Sequence, residues 1–379
     1  MGDVEQDRVR HWIRSEPSTI VLQPTTMCPL NCKYCYLPQR HLNHEMSPDV
    51  TTAIVRSLPM KWLSEKGVEI VWHGGEPLAI GPSGFAALID PFERLRVAGR
   101  VRHLVQTGAT LVTDEWCDLL RRYDVSVGVS IDGPRFVNQH RVNRAGKPMF
   151  DQIMAGIETL KRNGLGFTVL AVVSQGSMET PHQILDFLAD LGCEWVGLNI
   201  EAKESANRNG TTPTIEQARR FWREVVTWSH KNPGMRIRDV ESLAHYLAME
   251  PTARATDASY DPIPTIGRNG DVVLLSPELL DVSDAAYNDF VAGNVLTEPL
   301  PSIIRRSTEL SYVQEFVQGL ENCKGAHAGN RYFEHGTFTA TETEHCRTSF
   351  QAPVLGLLDL IKKRGELDHE SVATTHRGT

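Results

Sequence analysis

Between residues 18 and 230 the chain alternates short apolar or β-branched runs with longer stretches whose apolar positions recur at helical spacing. Thr19–Leu22, Val68–Trp72, Val101–Gln106, Ser126–Ser130, Phe167–Val173 and Trp195–Asn199 read as strands. Asp49–Ser64, Pro82–Val97, Asp114–Tyr123, Phe150–Asn163 and Thr180–Leu191 read as the helices between them. Such alternation describes either a parallel barrel or an open doubly wound α/β sheet, and periodicity does not choose between the two.

Beyond Trp222–His230 the alternation stops. Residues 250–300 are rich in Pro, Asp, Ser and Ala, with one hairpin pattern at Thr265–Leu275 turning on Asn269-Gly270. A helical pattern over Pro301–Leu320 is followed by a stretch with Gly, His and Asn, residues 323–345, that reads as loop. A last amphipathic helix is expected near Ala352–Lys363, and the tail from Gly365 has the polar composition of a frayed end. The expected organisation is an N-terminal segment (1–17), a core (18–230), a C-terminal region (231–364) and a tail (365–379).

Composition narrows the function classes. With 379 residues, 41% of them hydrophobic, the chain can bury a large core. A formal net charge of −8 disfavours binding nucleic acid through phosphate neutralisation. No apolar run approaches a membrane span, and the N-terminus lacks the apolar core of a secretory signal, so a cytoplasmic protein is expected. An odd number of cysteines, seven, argues against a disulfide framework.

Three of those cysteines crowd into Cys28-Pro-Leu-Asn-Cys32-Lys-Tyr-Cys35, directly after the first expected strand. Three thiolates can hold three irons of a cubane cluster, which leaves the fourth iron open to an exogenous ligand. A structural zinc loop would instead recruit His41 or His44 as a fourth ligand. Cys117 and Cys193 read as small core residues. A second pattern, Trp72-His73-Gly74-Gly75-Glu76-Pro77, ends the second strand, where two glycines let the backbone turn sharply and approach a ligand.

The cysteine segment resembles the CxxxCxxC loop of the radical S-adenosylmethionine (SAM) superfamily, with Tyr34 as the aromatic before the third cysteine. The resemblance extends to Gly74-Gly75-Glu76-Pro77, to Ser130 in Val129-Ser130-Ile131-Asp132-Gly133-Pro134, and to the following Arg141. It covers residues 18–230 and implies a partial (β/α)6 TIM-type barrel, with a [4Fe–4S] cluster on Cys28, Cys32 and Cys35. It further implies SAM contacts from Tyr34, Gly74, Gly75, Glu76, Ser130 and Arg141, and a reductant such as flavodoxin or ferredoxin. Gln106-Thr107-Gly108 has Gly where relatives have Asn, so no polar contact is assigned there.

The C-terminal third resembles the SPASM or twitch extension of peptide maturases, through Ser276-Pro-Glu-Leu-Leu280, Tyr287–Asn294, Gly329–Glu334 and Thr341–Arg347. These segments are similar to those of maturases that cross-link ribosomally made peptides into cyclophanes. Here the region keeps only Cys323 and Cys346, and two thiolates alone do not complete an auxiliary cluster; His327, His335 or His345 could act as unusual ligands, but a degenerate region without a complete cluster is expected. The resemblance therefore implies radical modification of a precursor peptide, by carbon–carbon cross-linking to an aromatic ring. Oxidation of Ser or Cys, as in anaerobic sulfatase maturases, and radical chemistry on a small metabolite are the enzymatic alternatives. A non-enzymatic Fe–S or zinc sensor is the third. The segment ahead of Cys28 is too short for a leader-binding domain, so peptide recognition is expected in the C-terminal third, at a sheet edge or on another protein.

Anaerobic reconstitution is expected to load about four irons and four sulfides per chain. Replacing Cys28, Cys32 and Cys35 together by Ala should abolish that uptake, and a chain that takes up only zinc would exclude the cluster.

Overall fold

The structure, a computed structural model, describes residues 2–63, 67–207, 210–250, 259–323 and 327–362. The described strands are β1 (Thr19–Leu22), β2 (Val68–Trp72), β3 (Val101–Thr107), β4 (Val125–Ser130), β5 (Thr168–Val173) and β6 (Val196–Ile200), then β7 (Thr265–Ile266), β8 (Asp271–Val273) and β9 (Gly293–Asn294). They form one sheet in the order β6-β5-β4-β3-β2-β1-β7-β8-β9. From β1 to β6 each strand lies parallel to its predecessor, with no reversal of order. A doubly wound sheet would reverse at a switch point. This is the strand order of a barrel, and it stays open because β1 takes β7 as its second neighbour instead of β6.

The sequence dictates this layering. β1 buries Ile20, Val21 and Leu22 in succession and so is covered on both faces, as parallel strands between helices are, while β2 and β5 bury alternate residues and leave their other face partly open. The helices Pro48–Ser57, Gly81–Ile89, Asp114–Arg122, Phe150–Arg162, Pro181–Asp190 and Ile215–Lys231 follow the strands in turn. Trp72 packs against Phe85 and Phe92, with ring centroids 5.0 and 6.2 Å away, and Phe85 meets Trp116 at 5.6 Å.

Several expected elements are shorter or broken. The helix expected to Ser64 ends at Ser57, two residues before Pro59, and Ser64 lies outside the described residues. Pro91 splits Pro82–Val97 into helix, 3₁₀ turn and helix, because proline lacks the amide that continues the ladder. Pro301–Leu320 likewise divides into Leu300–Arg305, a 3₁₀ turn and Ser311–Asn322, with Leu310 extended between them. The stretch 323–345 is not all loop. Ala328–His335 is helical, and Arg331, fully buried there, donates to the carbonyls of Phe316, Phe338 and Cys323. Tertiary bonding outweighs the poor helix propensity of Gly329 and Asn330. The last helix occupies residues 352–362; Lys363 and the tail from Gly365 lie outside the described residues.

The N-terminal segment folds as a helix, Gly2–Trp12, whose Arg8 Nε donates to Glu321 at 2.6 Å. Ile13 then forms a parallel bridge with Tyr260.

His103, on β3, is buried beside this aromatic cluster, and its Nδ1 accepts the indole N–H of Trp72 at 3.2 Å. Burial, then the nearby Arg96 charge, pushes its pKa down to about 3. Protonation would set a second donor against the indole N–H. The folded-state pKa is thus below the unfolded one, so the unfolded chain binds the proton first and stability falls as pH drops below about 6.5. Between pH 6 and 5 the wild-type chain is expected to lose about 1 kcal/mol more unfolding free energy than His103→Phe. Parallel urea-unfolding profiles for the two chains would remove His103 from the titration.

Candidate functional site

The chain leaving β1 carries the cysteine loop across the C-terminal ends of the parallel strands. Its path is set by backbone bonds. Cys28 N–H donates to Arg40 O at 3.0 Å, Asn31 N–H to Val142 O at 2.6 Å and Lys33 N–H to His140 O at 3.0 Å. Arg144 closes the contact by donating to Cys28 O at 3.3 Å. The loop is therefore tied to the segment that bears Arg141.

After β2 the backbone turns at Gly74 and Gly75, both with positive φ, 91° and 63°. A Cβ at Gly75 would lie 2.4 Å from Thr25 O and 2.8 Å from Met27 O, so only glycine allows the turn to nest under the loop. Glu76 N–H then donates to Met27 O at 2.8 Å. The Glu76 side chain, 1% exposed, accepts from Thr107 Oγ1 (2.7 Å), Gly108 N–H (2.8 Å) and Leu78 N–H (3.1 Å). Burial pushes its carboxyl above the ordinary range, against these three donors. Among the described residues it has no ion-pair partner, so a cationic ligand group is the complement it calls for.

Asp132 organises the opposite wall. Its Oδ1 accepts from Arg141 Nε (3.1 Å) and Nη2 (2.8 Å) and from Val172 N–H (2.9 Å), while Tyr34 donates its hydroxyl to Oδ2. The Arg141 guanidinium also lies over the Tyr34 ring, 5.5 Å from its centroid. Ser130 Oγ accepts from Gln106 Nε2 at 2.8 Å.

All nine residues singled out from the sequence come together. Cys28, Cys32, Cys35, Tyr34, Gly75, Glu76, Ser130 and Arg141 line one cavity of about 420 Å³, and Gly74 sits in the turn beneath. His41 and His44 are exposed and outside this lining. The three thiols are free of disulfides, and their sulfurs are not drawn together to the 4.8 Å spacing that would suit one ion. A cubane, which spreads its ligands wider, fits them better than zinc. Burial raises all three thiol pKa values, Cys32 to about 11, a preference that bound iron reverses by its charge.

Sequence reasoning passed over several residues here. Thr107 and Gly108 hold Glu76; the glycine noted as a departure works through its amide, and a Cβ there would meet Leu30 Cδ1 at 3.0 Å. Asp132 stood inside a segment quoted for Ser130. His73, whose Nε2 pairs with Tyr36 Oη at 2.9 Å, also lines the cavity. So do Glu204, Glu278 and Asn330, together with His327 and His345, which the sequence offered only as unusual ligands of an auxiliary cluster; all five belong to the far end of the chain or follow β6. A second, wider cleft of about 620 Å³ adjoins, lined by Lys203, Glu204, Tyr332 and Phe333 among others.

Cys117 is buried in the core and Cys193 packs against it. Cys323 and Cys346 join no group of three closely spaced metal-ligating side chains among the described residues.

Comparison with known proteins agrees with this geometry. The model of the radical SAM superfamily matches residues 22–188. An uncharacterised protein of Synechocystis sp. is 32% identical over 88% of this chain and 89% of its own length. A serine-type anaerobic sulfatase-maturating enzyme of Bacteroides thetaiotaomicron is 32% identical over 48% of this chain and 46% of its own. Among solved structures, native anSMEcpe with bound AdoMet superposes with a TM-score of 0.70, covering 91% of this chain and 98% of that one at 16% identity. Streptococcus suis SuiB bound to the precursor peptide SuiA gives 0.59, covering 80% and 67% at 16% identity. Strand order, cysteine loop and family match converge, and this chain belongs to the radical SAM superfamily of enzymes, which work with a [4Fe–4S] cluster and SAM.

Proposed function

We propose that this enzyme modifies a ribosomally synthesised peptide, joining a carbon of one residue to the ring of an aromatic one. The observation that carries the reading is the joining of two spaces. The cavity lined by the cysteines and Glu76 meets the wider cleft at Glu204, and the cleft presents Lys203, Tyr332 and Phe333 to an extended ligand. The likeness of the C-terminal segments to cyclophane-forming maturases supports it, as does a fold shared with SuiB, which has been solved with its precursor peptide.

When bound, the cluster would supply one electron and SAM the group that takes one hydrogen from the substrate; the second hydrogen of a cross-link would leave as a proton with its electron returned to the cluster, so that SAM is the net oxidant. The chain's residues position the parts. Cys28, Cys32 and Cys35 ligate the cluster. Glu76 accepts the SAM ammonium, with Thr107 and Gly108 holding the carboxylate in place. Ser130, Tyr34 and Arg141 line the rest of the nucleoside and carboxylate site. A flavodoxin- or ferredoxin-type protein delivers the electron.

The second reading is oxidation of a serine or cysteine, favoured by the sulfatase-maturating relative that matches nearly half the chain. Both reactions can lighten a serine-containing peptide by about two mass units, because each removes two hydrogens.

Glu76→Gln is expected to weaken SAM binding at least about tenfold, since an amide offers no charge to an ammonium and turns its NH2 toward other donors. Affinity for a SAM analogue without the amino group should not change with this substitution. Equal losses for both ligands would mean that the residue only shapes the turn.

For the reaction, reduced enzyme and SAM are incubated with a short precursor encoded beside the gene. A product lighter by about two mass units that is inert to hydrazide and carries a new bond to an aromatic ring is the expected outcome. A hydrazide-reactive aldehyde would give the reaction to the second reading. Release of 5′-deoxyadenosine with turnover of a small metabolite, and unchanged peptide, would exclude both.

A further inference from the structure

We propose that Glu204, Glu278 and His327 form a second metal site, for a single divalent transition ion such as zinc, on the wall of the cavity that the cysteine loop also lines. The three side chains come from separate parts of the chain. Glu204 follows β6, Glu278 lies in the short 3₁₀ turn Pro277–Leu279, and His327 immediately precedes the helix Ala328–His335, with no side-chain bond to its amides. One ligand atom from each falls within 4.8 Å of the other two. Among the described residues no other three His, Cys, Asp or Glu side chains converge in this way.

Convergence is supported by how the carboxylates are held. Ser276 donates its hydroxyl to Glu278 Oε2, and Asn330 Nδ2 donates to Glu204 Oε1 at 2.8 Å. Each carboxylate thus has one oxygen oriented by a neighbour and the other left for an ion, as outer partners do for metal ligands. Asn330 adds an independent observation. It is 0% exposed, lines the same cavity, and its Oδ1 has no hydrogen-bond partner. A buried amide oxygen without a donor is costly unless something cationic or protic meets it. Two carboxylates this close repel unless a positive charge sits between them or one of them holds a proton.

The donor types select the ion. Calcium and magnesium favour all-oxygen shells, and an iron–sulfur cluster needs thiolates, whereas two carboxylates with an imidazole suit zinc or another late first-row divalent ion. Three protein donors are also the number found where zinc keeps a position for a ligand from outside. That position would take an oxygen, nitrogen or sulfur donor of the substrate and hold the residue to be modified beside SAM.

The ion-binding claim does not rest on the peptide reading, and its test needs no peptide. The full chain, with its cluster reconstituted, is dialysed anaerobically against zinc sulfate. About one zinc per chain is expected beyond the cluster iron, with a zinc-edge absorption spectrum showing only nitrogen and oxygen neighbours at about 2.0–2.2 Å. Glu278→Gln and His327→Gln are expected to weaken zinc binding about tenfold or more while iron and sulfide content stays the same. A sulfur shell at about 2.3 Å would put the zinc on cysteine and overturn the proposal. Failure of the wild-type chain to take up zinc, or full zinc affinity in both variants, would do the same. Because the absorption spectrum is recorded on the wild-type chain, a variant that does not fold leaves the proposal testable.

Discussion

The burial of one carboxylate sets the geometry of the site. Glu76 cannot be desolvated without donors, and it finds them at the end of the neighbouring strand, in Thr107 and Gly108. That requires β2 and β3 to run in the register that pairs Trp72 with Val105. The same residue's amide bonds Met27 O, one position before the first cysteine. Strand register, glycine turn and cysteine loop are therefore one coupled arrangement, and a shift in any of them strands a charge in the interior.

Asp132 plays the matching part across the cavity. It is 2% exposed and gathers Tyr34, Arg141 and the Val172 amide. Removing it would leave the buried Arg141 guanidinium without its counter-charge, a far larger disturbance than loss of a surface pair. The two acids differ in their partners: Asp132 has a counter-charge in Arg141, whereas Glu76 is met among the described residues by neutral donors alone.

The strands and the cysteine loop were legible because they depend on local pattern. Apolar runs of four to seven residues gave β1–β6 almost to the residue, and three thiols within eight positions announce metal whatever the fold. Proline explains where two expected helices stop or break, at Pro59 and Pro91. What stayed hidden depends on distant parts meeting. Nothing local distinguishes Asp132 from a turn residue, since its role appears only when Arg141 and Val172 fold against it. Glu204, Glu278 and His327 are 74 and 49 positions apart in sequence, and their approach follows from β7–β9 extending the sheet. The helix Ala328–His335 was invisible for the same reason, because the carbonyls that bind Arg331 belong to other segments.

The pairing of β1 on both flanks has a consequence for descent. In an array of independent modules, a region that no longer carries a cofactor can be shed. Here the strand that launches the cysteine loop has β2 on one side and β7 on the other, with Val21 and Leu22 matched to Thr265 and Ile266. Deleting the C-terminal third would expose the backbone edge of β1 and invite association with any passing strand. A side-chain substitution in that third leaves the β1–β7 seam of the barrel intact, whereas removal of the third opens it. Its surface is then free to acquire new chemistry while its backbone is not free to leave.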